Sequence, residues 1–133
     1  MRHFTYQELT RSATASRLGI ANIPNQRQRR NLRCLVEAVL DPVRTLWGKP
    51  LLVTSGYRCE ALNKAVGGVP NSQHIEGNAA DITTGNAKDN ERLFNLIINS
   101  NIAYDQLIGE QNFRWLHISH NSNGANRNQA IML

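Results

Sequence analysis

Ser72-Gln-His-Ile-Glu-Gly-Asn-Ala-Ala-Asp81 is the stretch on which the reading of this chain turns. It pairs His74 with Asp81, a neutral imidazole with a carboxylate, and these donor types suit a divalent ion such as zinc. Gly77 between them allows a sharp turn where a side chain would be in the way. Residues 78 to 83, Asn-Ala-Ala-Asp-Ile-Thr, read as a short strand, and alternation puts Ala79, Asp81 and Thr83 on one face. A lone His and Asp in a surface loop would be unremarkable. A third donor changes the balance: His117, in Arg114-Trp-Leu-His-Ile-Ser119, alternates with Leu116 and Ile118 on a second candidate strand. Three donors with one coordination position open is the pattern of a catalytic rather than a structural zinc.

Outward from this stretch, the chain reads as helices first and strands later. Thr5-x-x-Glu8 is a capping box opening a short helix, Ser12 to Leu18 is a second with Gly19 as its stop, and Asn25 caps a long third. Leu32, Leu35, Val36, Val39, Leu40, Val43, Leu46 and Trp47 repeat at helical spacing and form a core stripe, which Pro42 interrupts with a kink or break. Leu51 to Ser55 is a strand, Glu60 to Val66 a short helix, and Asp89 to Ser100 a helix with Leu93, Leu96 and Ile97 facing inward. Tyr104-Asp-Gln-Leu-Ile108 and Trp115 to Ser119 are strands joined by a hairpin at residues 111–114, and Gln129 to Met132 is an edge strand. The predicted fold class is α+β, with N-terminal helices packed on a small, mostly antiparallel sheet that carries the metal site.

With 133 residues, 41% of them hydrophobic and 19% charged, the chain reads as a single domain spanning 1–133 with an ordinary soluble composition. It lacks the roughly 18 consecutive apolar residues of a membrane span, and its first residues carry no apolar run after the charge, so no secretory signal is read there. The net charge of +5 leaves nucleic acid, an acidic polymer or simple solubility open. Arg27, Arg29, Arg30 and Arg33 cluster on one helix, but no recognition motif or aromatic platform accompanies them, and no nucleic-acid partner is expected. Cys34 falls on the apolar face of that helix and reads as core. Cys59 follows Arg58, and two free thiols are the expectation over a Cys34–Cys59 bridge.

Peptide hydrolysis at such a site also needs a base. Alternation over Gln106 to Glu110 puts Gln106, Ile108 and Glu110 on one face, and the hairpin then brings Glu110 towards His117. Glu110 is the leading candidate, with Glu76 and Asp105 as alternatives. Arg58 offers a bidentate fork for a substrate carboxylate, though it has other uses in capping a helix or pairing with Glu60. His120 lies past the strand end or on its opposite face, and His3 sits at the terminus, so neither is counted as a ligand. Trp115 packs behind the site or lines a cleft. His-x-Glu at 74–76 invites comparison with zinc deaminases, but their Pro-Cys-x-x-Cys is absent.

Ser-x-His-x-x-Gly-x-Ala-x-Asp followed by Trp-x-His resembles the zinc D-Ala-D-Ala carboxypeptidase and L-Ala-D-Glu endopeptidase family. That family includes VanY-type and VanX-type enzymes and phage endolysins, on a fold shared with Hedgehog-type zinc-holding signalling proteins. The resemblance takes in Phe4 to Pro24, Val53-Thr-Ser-Gly-Tyr-Arg58, the His/Asp motif, Asp105-Gln-Leu-Ile108 and Trp115-Leu-His-Ile-Ser119. It implies Zn2+ held by His74, Asp81 and His117, with Arg58 and Ser72 against the substrate. Many members carry a carboxylate three residues before the last His, where this chain has Arg114. A phage-type subgroup has a Glu after a Gln-Leu-Ile strand, and Gln106-Leu-Ile-Gly-Glu110 is similar to that. The implied activity is cleavage of peptidoglycan stem peptides, first as an L-Ala-D-Glu endopeptidase of the endolysin kind, favoured by compactness and the lack of a wall-anchoring domain. Alternatives are a D-Ala-D-Ala carboxypeptidase and a non-catalytic zinc-holding module for the cell wall. On the same resemblance the chain is expected to be a monomer, made in the cytoplasm and active in the periplasm or cell wall, with a holin-type export partner.

Overall fold

The computed structural model describes residues 1–133. Three short helices open the chain: α1 (Tyr6–Thr10), α2 (Ala13–Leu18) and α3 (Gln26–Leu35). Each begins where a side chain accepts an orphan backbone N–H. Thr5 and Glu8 form a reciprocal capping box, Ser12 accepts from Ala15, and Asn25 and Gln28 form a second box. After α3 the backbone widens into one π-helical stretch, Val36–Leu40, before α4 (Asp41–Trp47) resumes regular winding. Pro42 explains the position: it has no N–H to give the preceding turn, and the chain adjusts by a wider turn rather than breaking.

That wider turn shifts the phase of the apolar stripe. Leu32, Leu35, Val36, Val39, Leu40 and Val43 are fully buried, as the stripe predicts. Leu46, expected inside, is instead 38% exposed. Cys34 was expected in the core and is exposed. It lies about 200° around the helix from buried Leu32, so it faces outward. In the last helix, α6 (Ala87–Ile98), Leu93 and Ile97 are buried, but Phe94 takes the inward place expected of Leu96, which stays outside.

The sheet has five strands in the order β1-β2-β4-β3-β5, comprising β1 (Leu52–Ser55), β2 (Ala79–Thr83), β3 (Gln106–Glu110), β4 (Trp115–Ser119) and β5 (Gln129–Met132). All pairings are antiparallel except β3 with β5, so the α+β, mostly antiparallel prediction holds. One face of the sheet, through Val53, Ala80, Ile82, Leu107, Leu116 and Ile118, packs with α3, α4 and α6 into the core. The opposite register positions are left for the site. A short helix, α5 (Glu60–Ala65), and the loop from 66 to 78 cross that side of the sheet. No helix is long and apolar enough to cross a membrane.

The β3–β4 hairpin is held tightly. Gln111, Asn112 and Phe113 all take positive φ, and Arg114 closes the loop by donating to the Glu110 carbonyl at 2.9 Å. Phe113 folds back over Gly109, where a Cβ would lie 2.4 Å from the ring, and meets Phe94 edge-on. This closure fixes Glu110 at the strand end.

Candidate metal centre

Register does most of the work of assembly. Asp81 on central strand β2 pairs directly with Ser55 on one side and with His117 of β4 on the other. Directly opposed residues point to the same face, so Asp81 and His117 meet: His117 Nδ1 lies 3.1 Å from Asp81 Oδ1. His74 arrives from the loop, its Nε2 3.3 Å from the same oxygen. One ligand atom from each of the three residues lies within 4.8 Å of the others.

The loop is anchored on both sides. His74 Nδ1 lies 2.7 Å from the Gly56 carbonyl, and the His74 carbonyl accepts from Arg58 N–H at 3.1 Å. Ser72 Oγ accepts from His74 N–H. From the helix side, Gln28 donates to the Ile75 carbonyl and Asn31 to that of Glu76. Gly77 has φ +78°, and a Cβ there would lie 2.6 Å from the Gln28 carbonyl, so only glycine fits this close crossing. Gly56 is equally confined, since its Cβ would lie 2.2 Å from the Leu9 carbonyl.

These contacts decide the chemistry of the imidazole. A carbonyl only accepts, so His74 Nδ1 carries the proton and Nε2 is bare in the neutral ring. A bare nitrogen and a carboxylate oxygen 3.3 Å apart are two acceptors facing each other. They need a cation or a proton between them, and this is the donor chemistry a zinc ion satisfies. Burial pushes the Asp81 carboxyl up, but its close contacts with the His117 and His74 rings outweigh this, and the carboxyl is held far below the usual carboxylate range. It therefore stays anionic, as a ligand must.

Arg58 is brought beside the ligands, with its side chain only 14% exposed. Its Nε donates to Ser55 Oγ at 3.1 Å, one Nη to Asn63 Oδ1 at 3.0 Å, and the other lies 3.6 Å from Asp81 Oδ2. It does not pair with Glu60. Asp81 thus presents Oδ1 to the imidazoles and Oδ2 to the guanidinium. Burial lowers the Arg58 pKa, with Asp81 acting in the opposite direction.

The three carboxylates weighed as bases are now separated by their surroundings. Glu76 is ion-paired with Arg27 on α3. Asp105 is buried and held by Arg127 through two side-chain hydrogen bonds of 2.7 and 2.9 Å. Glu110, opposite Trp115, lies one diagonal step from His117 on the same sheet face, and none of the ion pairs involves it. The Arg cluster on α3 is largely engaged elsewhere: Arg27 with Glu76, Arg33 with Glu37, and Arg29 over the Tyr6 ring. Gln73 is a residue that sequence reasoning passed over. Its amide bridges His117 and Asp105, and nothing in the local spelling of the motif signals that contact.

Two imidazoles and one carboxylate gathered over one face of the sheet, as a set that could hold a metal ion, suit the class of a metal-dependent hydrolase. The chain belongs to the peptidase M15 family, whose sequence profile matches residues 2–119. Members of that family are zinc-dependent peptidases, and the donor set described above fits that metal. No curated protein sequence matches the chain significantly.

Proposed function

We propose that this protein is a zinc peptidase that hydrolyses the stem peptides of peptidoglycan, acting first as an L-Ala-D-Glu endopeptidase. The observation that carries the reading is the convergence of His74, Asp81 and His117 within 4.8 Å, in a peptidase M15 chain, with uncommitted Glu110 on the same sheet face. His74, Asp81 and His117 would hold a zinc ion, which would supply a Lewis acid to polarise the scissile carbonyl and activate water.

The remaining steps belong to the chain. Glu110 takes the proton of the attacking water and returns it to the leaving amine. The closed hairpin and the Phe113–Gly109 packing fix the backbone that carries Glu110 at the strand end. Arg58 attracts a carboxyl group of the stem peptide to the edge of the metal centre. A groove of about 520 Å³ lies beside it, lined by Glu60, Asn63, Lys64, Gly67, Gly68, Pro70 and Ile75, so both charges, Lys64 and Glu60, face the bound peptide. It adjoins Arg58, because a Cβ on Gly68 would lie 2.8 Å from the guanidinium. Ser72 stands at the start of the same loop and helps set its shape through His74 N–H. The endopeptidase choice leans on Gln106-Leu-Ile-Gly-Glu110, the phage-type arrangement of the base. On this reading the enzyme works as a monomer in the periplasm or wall, reached through a holin-type pore.

The test is mass analysis of purified muropeptides after incubation with zinc-loaded protein, beside Glu110→Gln. Release of a fragment ending in L-Ala by the wild type alone is the expected result. Loss of a terminal D-Ala would reassign the enzyme as a carboxypeptidase. Zinc binding with no cleavage of any muropeptide overturns the peptidase reading in favour of a wall-binding module.

A further inference from the structure

Asp105 is a buried carboxylate, 5% exposed, to which the mechanism above gives no task. Its partners form a chain of contacts that ends at the metal site. Arg127 grips Asp105 through Nε and Nη2, and its backbone N–H donates to the same carboxylate at 3.2 Å. On the other side, Gln73 Nε2 donates to Asp105 Oδ2 at 2.9 Å, and Gln73 Oε1 lies 3.4 Å from His117 Nε2. The direction of the amide is chemically forced. A carboxylate has only acceptors, so the NH2 end of Gln73 faces Asp105 and the oxygen faces the imidazole.

We propose that Gln73, oriented by Asp105 and Arg127, is a positioning residue that accepts the Nε2 proton of His117 and so commits Nδ1 to the metal. The proposal rests on the zinc reading above. An oxygen at Nε2 keeps the proton there and leaves Nδ1 bare, beside Asp81 Oδ1 and within reach of the ion. The two imidazoles are thereby fixed in different ways. His74 leans on a backbone carbonyl, Gly56, which no substitution removes. His117 depends on three side chains from separate parts of the sequence. The last of them, Arg127, is 56% exposed and lies beyond the residues matched by the family profile. The segment carrying it is tied down by backbone bonds, Asn128 N–H to Tyr104 and Gln129 N–H to Asp105, so the grip does not depend on a free side chain finding its partner.

The experiment compares full-length wild type, Gln73→Leu, Arg127→Met and Arg127→Lys. Zinc affinity is measured by competition with a chromophoric chelator, and the His117 ring N–H proton is followed by NMR in the zinc-loaded protein. Gln73→Leu is expected to weaken zinc about 10–100-fold and to abolish the slowly exchanging Nε2–H signal of the wild type. Arg127→Met should move both readouts the same way by a smaller factor, with Arg127→Lys recovering part of the loss. Affinity within twofold of wild type in Gln73→Leu, with the ring proton intact, overturns the relay. Should Gln73→Leu fail to fold, the exposed Arg127→Met decides, and an unchanged affinity and ring signal there overturns it too. A wild type that binds no zinc removes the metal reading itself, whereas zinc-binding wild type with indifferent variants defeats the relay alone.

Discussion

Asp81 and His117 are register partners across β2 and β4, and their side chains meet at 3.1 Å on the face of the sheet turned away from the core. Neither residue can be moved without shifting a central strand. The site therefore inherits the rigidity of the sheet, which holds donors in place better than a loop does. The expected consequence is that removing either donor abolishes zinc binding without unfolding the protein. Asp81→Ala and His117→Ala should each lose more zinc affinity than the 10–100-fold of an outer contact, while the circular dichroism of the metal-free protein stays that of the wild type. Treatment with a chelator should stop peptide hydrolysis, and added zinc should restore it. Hydrolysis that survives complete zinc removal would count against the centre.

Glu110 gives a sharper prediction because it touches none of the three ligands' tethers. Glu110→Gln keeps size and hydrogen-bonding capacity and removes only the ability to take a proton. A drop in kcat of about 10²–10⁴-fold is expected, with zinc stoichiometry unchanged and KM moved little. If kcat falls less than tenfold, proton transfer must be assigned elsewhere. Asp105 and Glu76 are poor replacements, since Arg127 and Arg27 already hold them.

Much of this centre was legible because strands project alternate residues to one side. Asp81 and His117 fall on matching faces by counting alone, and Glu110 follows once the hairpin is placed. His74 was legible from its residue type beside Gly77. What escaped reading depends on separations of tens of residues. Gln73 finds Asp105 only because the loop crosses the sheet, and Asp105 finds Arg127 only because β5 runs parallel to β3. Arg58 shows the same limit. Its spelling marks it as a carboxylate binder, but its wedging between Ser55, Asn63 and Asp81 comes from the turn after β1. Cys34 and Leu46 were misjudged for a local reason, namely that apolar spacing was taken at face value on Cys34 and across a π-helical turn for Leu46.

Gly56 links the helical layer to the metal centre. Its carbonyl receives His74 Nδ1, and its Cα is pressed against the Leu9 carbonyl, to which Tyr57 N–H also donates at 2.7 Å. A methyl group has nowhere to go but into backbone, so Gly56→Ala must separate α1 from β1. Destabilisation of about 1–3 kcal/mol is expected, read by urea unfolding of the metal-free protein. Zinc affinity should fall with it, because the carbonyl that fixes the His74 tautomer moves. Gly19→Ala is the control: that glycine has φ +68° but open space around it, so strain there would leave zinc affinity untouched.

Asp105 predicts how stability responds to acid. The hydrogen bonds from Arg127 hold its carboxyl down at about 2, against the opposing pull of burial. In the unfolded chain an aspartate titrates near 3.9. A carboxyl depressed on folding stabilises the native state above the unfolded value and loses that contribution as pH falls towards the folded one. The Arg127–Asp105 pair therefore contributes fully above pH of about 4 and fades between about 4 and 2. Because Arg127 is more than half exposed, solvent screens the pair, and the contribution is small. Asp81 is depressed as well and steepens the acid limb of every variant alike, so the informative quantity is a difference. In urea unfolding of the metal-free protein, wild type should exceed Arg127→Met in stability at pH 6, and the gap should narrow as the pH is lowered to 2.5. A gap that stays constant down to pH 2.5 would mean that Arg127 stabilises the C-terminal segment by packing alone, and that Asp105 owes its low pKa to Gln73 and the surrounding backbone.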